Sequence, residues 1–107
     1  MSKIIKLVQG DQRPYIKMEL INADGTALDV SAATVFVKFR AANTTTVLST
    51  MTCQNVNTGS DGLVVFNFPG TTLSVPAGEY EGEVEINFAG EYQTVYDVLQ
   101  FVVRQQF

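Results

Sequence analysis

From Tyr80 to Phe88 the side chains alternate without a break. Tyr80, Gly82, Val84, Ile86 and Phe88 fall on one side, and Glu81, Glu83, Glu85 and Asn87 on the other. Successive residues of an extended strand point to opposite faces, so this segment reads as a β-strand with one dry and one wet face. On a helix the two sets would mix around the circumference.

The same period recurs along the chain. Ile16, Met18 and Leu20 alternate with Tyr15, Lys17, Glu19 and Ile21. Val35, Val37 and Phe39 alternate with Phe36, Lys38 and Arg40. Val64, Phe66 and Phe68 alternate with Leu63, Val65 and Asn67, and Leu99, Phe101 and Val103 with Val98, Gln100, Val102 and Arg104. Ile4 to Val8 reads as a first strand. Thr44 to Cys53 is rich in β-branched residues and reads as one irregular strand or a short pair. Turn signals separate these runs: Gly10-Asp11, Asn22-Ala23-Asp24-Gly25, Ser60-Asp61-Gly62, Pro69-Gly70, Pro76-Ala77-Gly78 and Ala89-Gly90. Val30-Ser31-Ala32-Ala33 is the one candidate helical turn. About seven strands at this spacing predict an all-β fold, a sandwich or barrel.

One local pattern favours the sandwich. Gly78-Glu79-Tyr80 places a tyrosine at the head of the clearest strand, just after a turn. Immunoglobulin-like domains often carry a tyrosine there, its hydroxyl bonded back to the turn, two residues before a core cysteine. Gly82 stands at that cysteine position, and no tryptophan is present to fill the third strand. The expectation is therefore an immunoglobulin-like antiparallel β-sandwich without a disulfide, a single domain over 1–107. A chain of 107 residues buries about two-thirds of its unfolded surface, enough to fold without staples. Cys53 is the lone cysteine and reads as a small, half-buried apolar residue.

Several function classes lose their chemistry at this level. There is no histidine, so His-activated serine or cysteine nucleophiles are absent, as is the commonest zinc ligand. No glycine-rich phosphate loop is present. Seven basic residues are scattered and outnumbered by eleven acidic ones, which argues against nucleic acid as a partner. No run approaches the roughly 20 apolar residues of a membrane-spanning helix, and the N-terminal apolar stretch is interrupted by Lys6 and too short for a signal peptide. The chain is expected to be made in a cytoplasm, to remain soluble, and to be neither an enzyme nor a cofactor carrier.

Three groups of residues remain as candidates. Glu81, Glu83 and Glu85 stand roughly 6.8 Å apart on one strand face, a spacing that could suit paired carboxylates. Such acids need a cleft that raises one pKa, and a solvated strand face is the simpler reading. Asp11, Asp24 and Asp61 lie in turns, where aspartate bonds its own backbone; no calcium-loop pattern surrounds them. Tyr15, Tyr92 and Tyr96, with Phe36 and Phe107, are aromatics that strand parity or loop position does not force inward. Together they would form a contact patch for a protein or for a sugar. The best candidate for docking is the segment Thr44, Thr45, Thr46, Val47, Leu48, Ser49, Thr50 and Met51. It is β-prone and lacks the charges that usually protect a sheet edge from pairing.

The segments Lys3 to Asp11, Asp24 to Val35, Gly62 to Phe66, Pro76 to Val84, Gln93 to Asp97 and Phe101 to Arg104 resemble the immunoglobulin-like domain of phage baseplate upper proteins. The resemblance covers nearly the whole chain. It implies an immunoglobulin-like sandwich carried on the virion of a tailed bacteriophage, at the tail or baseplate, the neck or the capsid surface. Its expected partners are other virion structural proteins, with further copies of itself within the particle. The alternative it leaves is an adhesion module that grips a host-surface glycan. In that family the domain usually begins a longer receptor-binding or fibre-carrying protein, and here the sequence stops at Phe107, just after the last expected strand.

Overall fold

The computed structural model describes residues 4–95 and 98–106. Its strands are β1 (Ile4–Val8), β2 (Ile16–Glu19), β3 (Thr34–Ala41), β4 (Ser49–Thr52), β5 (Gln54–Asn55), β6 (Leu63–Phe66), β7 (Gly78–Phe88), β8 (Glu91–Thr94) and β9 (Leu99–Arg104). They form two sheets. The larger runs β1-β9-β7-β3-β4, with β8 also paired to β7; the smaller runs β2-β6-β5. This is the layout of an immunoglobulin-like sandwich, with a three-stranded layer facing a longer one. The 30–33 segment is a turn closed by Ala33 N–H to Val30 O at 3.0 Å, not a helix.

The inward residues are the ones the alternation selects. Val35, Val37 and Phe39 from β3, Val64 and Phe66 from β6, Tyr80, Val84 and Ile86 from β7, and Phe101 and Val103 from β9 are all buried in one cluster. Phe39 sits at its centre. Its ring stacks on Tyr80 at 5.0 Å and meets Phe101 at 5.6 Å and Phe68 at 6.3 Å. Burial of such aromatic surface is the main term holding the layers together.

The tyrosine pattern is realised. Tyr80 Oη donates to Pro76 O at 2.6 Å, tying the start of β7 to the preceding turn. Gly82 explains the missing cysteine: a Cβ there would meet Phe101 Cε2 and Val37 Cγ1, each at 2.9 Å. The Phe101 ring occupies the space that a disulfide would fill. Tyr80→Phe keeps the ring packing and deletes one bond, so a loss of about 1–2 kcal/mol is expected in urea denaturation. No loss would mean that the hydroxyl contributes nothing beyond its exchange with water.

Two features differ from the sequence reading. The Thr44 to Cys53 strand begins at Ser49 and splits at Cys53, with β4 in the larger sheet and β5 in the smaller. And the chain after the Ala89-Gly90 turn returns first as β8, a strand without apolar alternation. Thr94 pairs with Glu85 and Leu99 with Gly82, so the returning chain meets β7 as two separate strands, β8 and β9. One pairing is parallel, β1 with β9, while every other strand pair is antiparallel.

Cys53 lies at the crossing between the sheets and is buried. Burial pushes its thiol up to about 12 from 9.0. A folded pKa above the unfolded one means that its contribution is fully present below about pH 9 and is lost as pH rises toward 12. Native protein at pH 8 should therefore resist a thiolate-directed reagent such as DTNB and react fully once unfolded in urea. Rapid labelling of the native state would contradict this burial.

Candidate functional site

Two of the three carboxylates of the ladder are paired with cations. Lys38 Nζ lies 3.1 Å from Glu85 Oε2, and Arg40 Nε 3.3 Å from Glu81 Oε1. The register of β3 against β7 sets both pairs: Arg40 stands opposite Glu81, and Lys38, opposite Glu83, reaches diagonally to Glu85. All four side chains are partly exposed, between 21% and 33%, so each pair contributes no more than about 1 kcal/mol. Glu81 and Glu85 face their cations along one strand face, and not each other across a cleft.

Two of the turn aspartates, Asp24 and Asp61, are bound locally through their carboxylates, while Asp11 is held by its backbone N–H, which donates to Val8 O at 3.2 Å. Asp24 Oδ1 accepts from Thr26 Oγ1 at 2.6 Å and Thr26 N–H at 3.0 Å. Asp61 accepts from Asn57 Nδ2 and from Leu63 N–H. Asp29, outside the turn signals of the sequence, does the same with Ser31. The Thr26 and Ser31 hydroxyls and the Asn57 amide lead in holding the three carboxyls below their ordinary value, with backbone N–H groups second. These bonds favour the ionised form, so they hold the turns at neutral pH and weaken as pH falls through the lowered values.

The aromatic candidates are not brought together. Tyr15 is exposed at the head of β2, in the smaller sheet, and Tyr92 is exposed in β8, in the larger. They belong to different layers of the sandwich. Tyr96 and Phe107 lie outside the described residues. Phe36 is half-buried on β3, opposite Glu85. Among the described residues every ring contact is in the core. Both tyrosines are exposed, but the sequence pattern carries no information about which sheet each segment joins.

The docking candidate resolves into two parts. Thr44 to Leu48 form an exposed connection anchored by Thr44 N–H and Oγ1 to Ala41 O, with Val47 and Leu48 both about half exposed. Ser49, Thr50 and Met51 belong to β4, which ends the order of the larger sheet. Met51 is a correction to the candidate surface. Its side chain is only 2% exposed and belongs to the core, so only its backbone lies on the edge.

Which backbone groups of β4 are free follows from its bonding. Cys53 N–H donates to Val35 O at 2.8 Å. In an antiparallel ladder every second residue bonds to the same neighbour, so Met51 and Ser49 face β3. The N–H and C=O groups of Thr50 and Thr52 point away from it. Other edges carry charges: Lys6 on β1, Lys17 and Glu19 on β2, Glu91 on β8. Among the described residues, β4 and the two-residue β5 are the uncharged edges.

The fold has a counterpart. It is similar to the N-terminal domain of phage TP901-1 ORF48, over 98% of this chain and 86% of that one, with a TM-score of 0.64 and 15% sequence identity. At that identity the likeness speaks for the fold. No family model matches the sequence, and no curated protein matches it.

Proposed function

We propose that this chain is an accessory structural protein of a tailed-bacteriophage virion, acting by docking onto a larger virion protein and not by catalysis. The observation that carries the reading is the fold shared with a phage protein domain over nearly the whole chain. The resemblance of its strand and turn segments to baseplate upper proteins points the same way, to the tail or baseplate, with the neck and capsid surface as other stations. The surface adds a means. A rigid sandwich with an uncharged, unpaired edge strand is prepared for strand addition, in which backbone hydrogen bonds supply affinity and flanking side chains supply selectivity.

The test is a reconstruction of intact particles with and without the protein. Density that disappears from tail, neck or shell would support the reading and show which surface docks. Complete particles with unaltered density would remove it. Val47→Pro adds a finer test, since proline should spare the exposed connection before β4 yet stiffen its approach. A folded variant that assembles onto particles as well as the wild type would exclude docking through this segment.

A further inference from the structure

The free ladder on β4 is short and its limits are set by the fold. On one side Leu48 N–H turns back to Phe39 O at 2.7 Å, so it is not offered outward. On the other, the chain leaves the larger sheet at Cys53, and Gln54 pairs with Val65 in the smaller one. What remains is Thr50-Met51-Thr52, with two outward-bonding residues flanking one whose side chain enters the core. A strand added here must be uncharged. It must place an apolar residue on the inner face beside Met51 and a polar residue on each side, next to Thr50 and Thr52.

The chain itself contains such a segment: Thr50-Met51-Thr52. We propose that β4 pairs antiparallel with β4 of a second copy across a two-fold axis centred on Met51. Thr50 then stands opposite Thr52 of the other copy and exchanges both backbone bonds with it. The symmetric pair repeats the exchange, giving four bonds in all. Met51 stands opposite its own equivalent as a non-hydrogen-bonded pair, with Cα atoms about 4.5 Å apart and both side chains on the inner face. An antiparallel strand pair about a two-fold is self-complementary, the requirement for an isologous dimer. Thr–Thr neighbours across such a ladder are favourable, and no like charges are set against each other. The two larger sheets become one continuous sheet. The four glutamates of β7, two of them paired to Lys38 and Arg40, lie two strands away from the junction.

Such a dimer forms whether or not the protein resides on a particle. It uses the same free side of β4 as the proposed docking, so a strand of the larger virion protein would take the place of the second copy.

Sedimentation equilibrium of the wild type and two double variants tests it. T50E/T52E sets Glu opposite Glu at both bonded pairs. T50E/T52K sets Glu opposite Lys at both, and its carboxylate at position 50 also stands beside Lys38 within the same chain. The expected wild-type result is a concentration-dependent rise from 11.7 kDa toward twice that mass. T50E/T52E should associate at least about tenfold more weakly, and T50E/T52K should recover the association in a salt-sensitive form. Both variants change exposed positions, and far-UV circular dichroism reports that each is folded. A wild type that stays monomeric at every concentration would overturn the dimer. So would a T50E/T52E variant that associates like the wild type. A T50E/T52K variant that remains monomeric beside a dimeric wild type would overturn the register centred on Met51, because a two-fold through Thr50 would oppose Glu to Glu in both variants.

Discussion

Gly62→Ala should destabilise the fold by about 3–5 kcal/mol, a large share of the roughly 5–15 kcal/mol that holds such a domain together. Gly62 adopts φ 74°, and a Cβ built there runs into the carbonyl oxygen of Leu20 and lies 3.1 Å from that of Leu28. The Leu20 oxygen is held in place. Leu20 O accepts the Leu28 N–H at 2.9 Å, and Leu20 N–H in turn donates to Gly62 O at 2.9 Å. The glycine therefore sits where the β2–β3 connection crosses the start of β6, and a methyl group would push the two apart. Gly70→Ala is the control. Gly70 also has positive φ, at 62°, but nothing lies within 4 Å of a Cβ there, so it should lose only about 1 kcal/mol. Urea melts followed by tyrosine fluorescence would separate the two terms. Equal losses would show that backbone conformation alone, and not the close approach, makes Gly62 necessary.

Phe39→Ala should cost about 3–5 kcal/mol, through a cavity at the meeting point of four rings. Phe39 has no exposed surface, and its removal leaves Tyr80, Phe101 and Phe68 without their common neighbour. Phe36, three residues earlier on the same strand, is only half-buried on the opposite face. Phe36→Ala should cost about 1 kcal/mol, the transfer term for part of a ring. Chemical denaturation of the two variants thus measures the face assignment of β3 directly. Comparable losses at both positions would contradict it.

These features differ in how visible they are in the sequence. The inner face of β3, β7 and β9 is readable because strand side chains alternate with a period of two whatever the sheet partner is. The Tyr80 corner is readable because turn, tyrosine and strand are contiguous. The turn aspartates Asp24 and Asp61 are readable for the same reason, each bonding a residue two positions on. Gly62 is recognisable only as a turn residue. Its contact with Leu20, distant along the chain, is made by folding.

β8 carries no sequence signal because none of Glu91, Tyr92, Gln93 and Thr94 is buried, so no hydrophobic period marks it. It is a strand by virtue of the β7 backbone beside it. The passage of the chain from the larger sheet to the smaller at Cys53 is equally hidden, since β-propensity states that a segment extends and not which neighbour receives it. Met51 is buried because the register sets it opposite the buried Val37.

The amino-acid sequence by itself determined the strand class, most of the inward face, the turns, and the chemistry the chain lacks. These depend on local stereochemistry and on residue type. Only the tertiary structure decided that Tyr15 and Tyr92 belong to different layers, that Lys38 and Arg40 neutralise Glu85 and Glu81, and that the uncharged strand β4 lies at a sheet edge with Thr50 and Thr52 facing outward. Each of these depends on strand order and register, which are set by long-range backbone pairing and by the closure of one shared core.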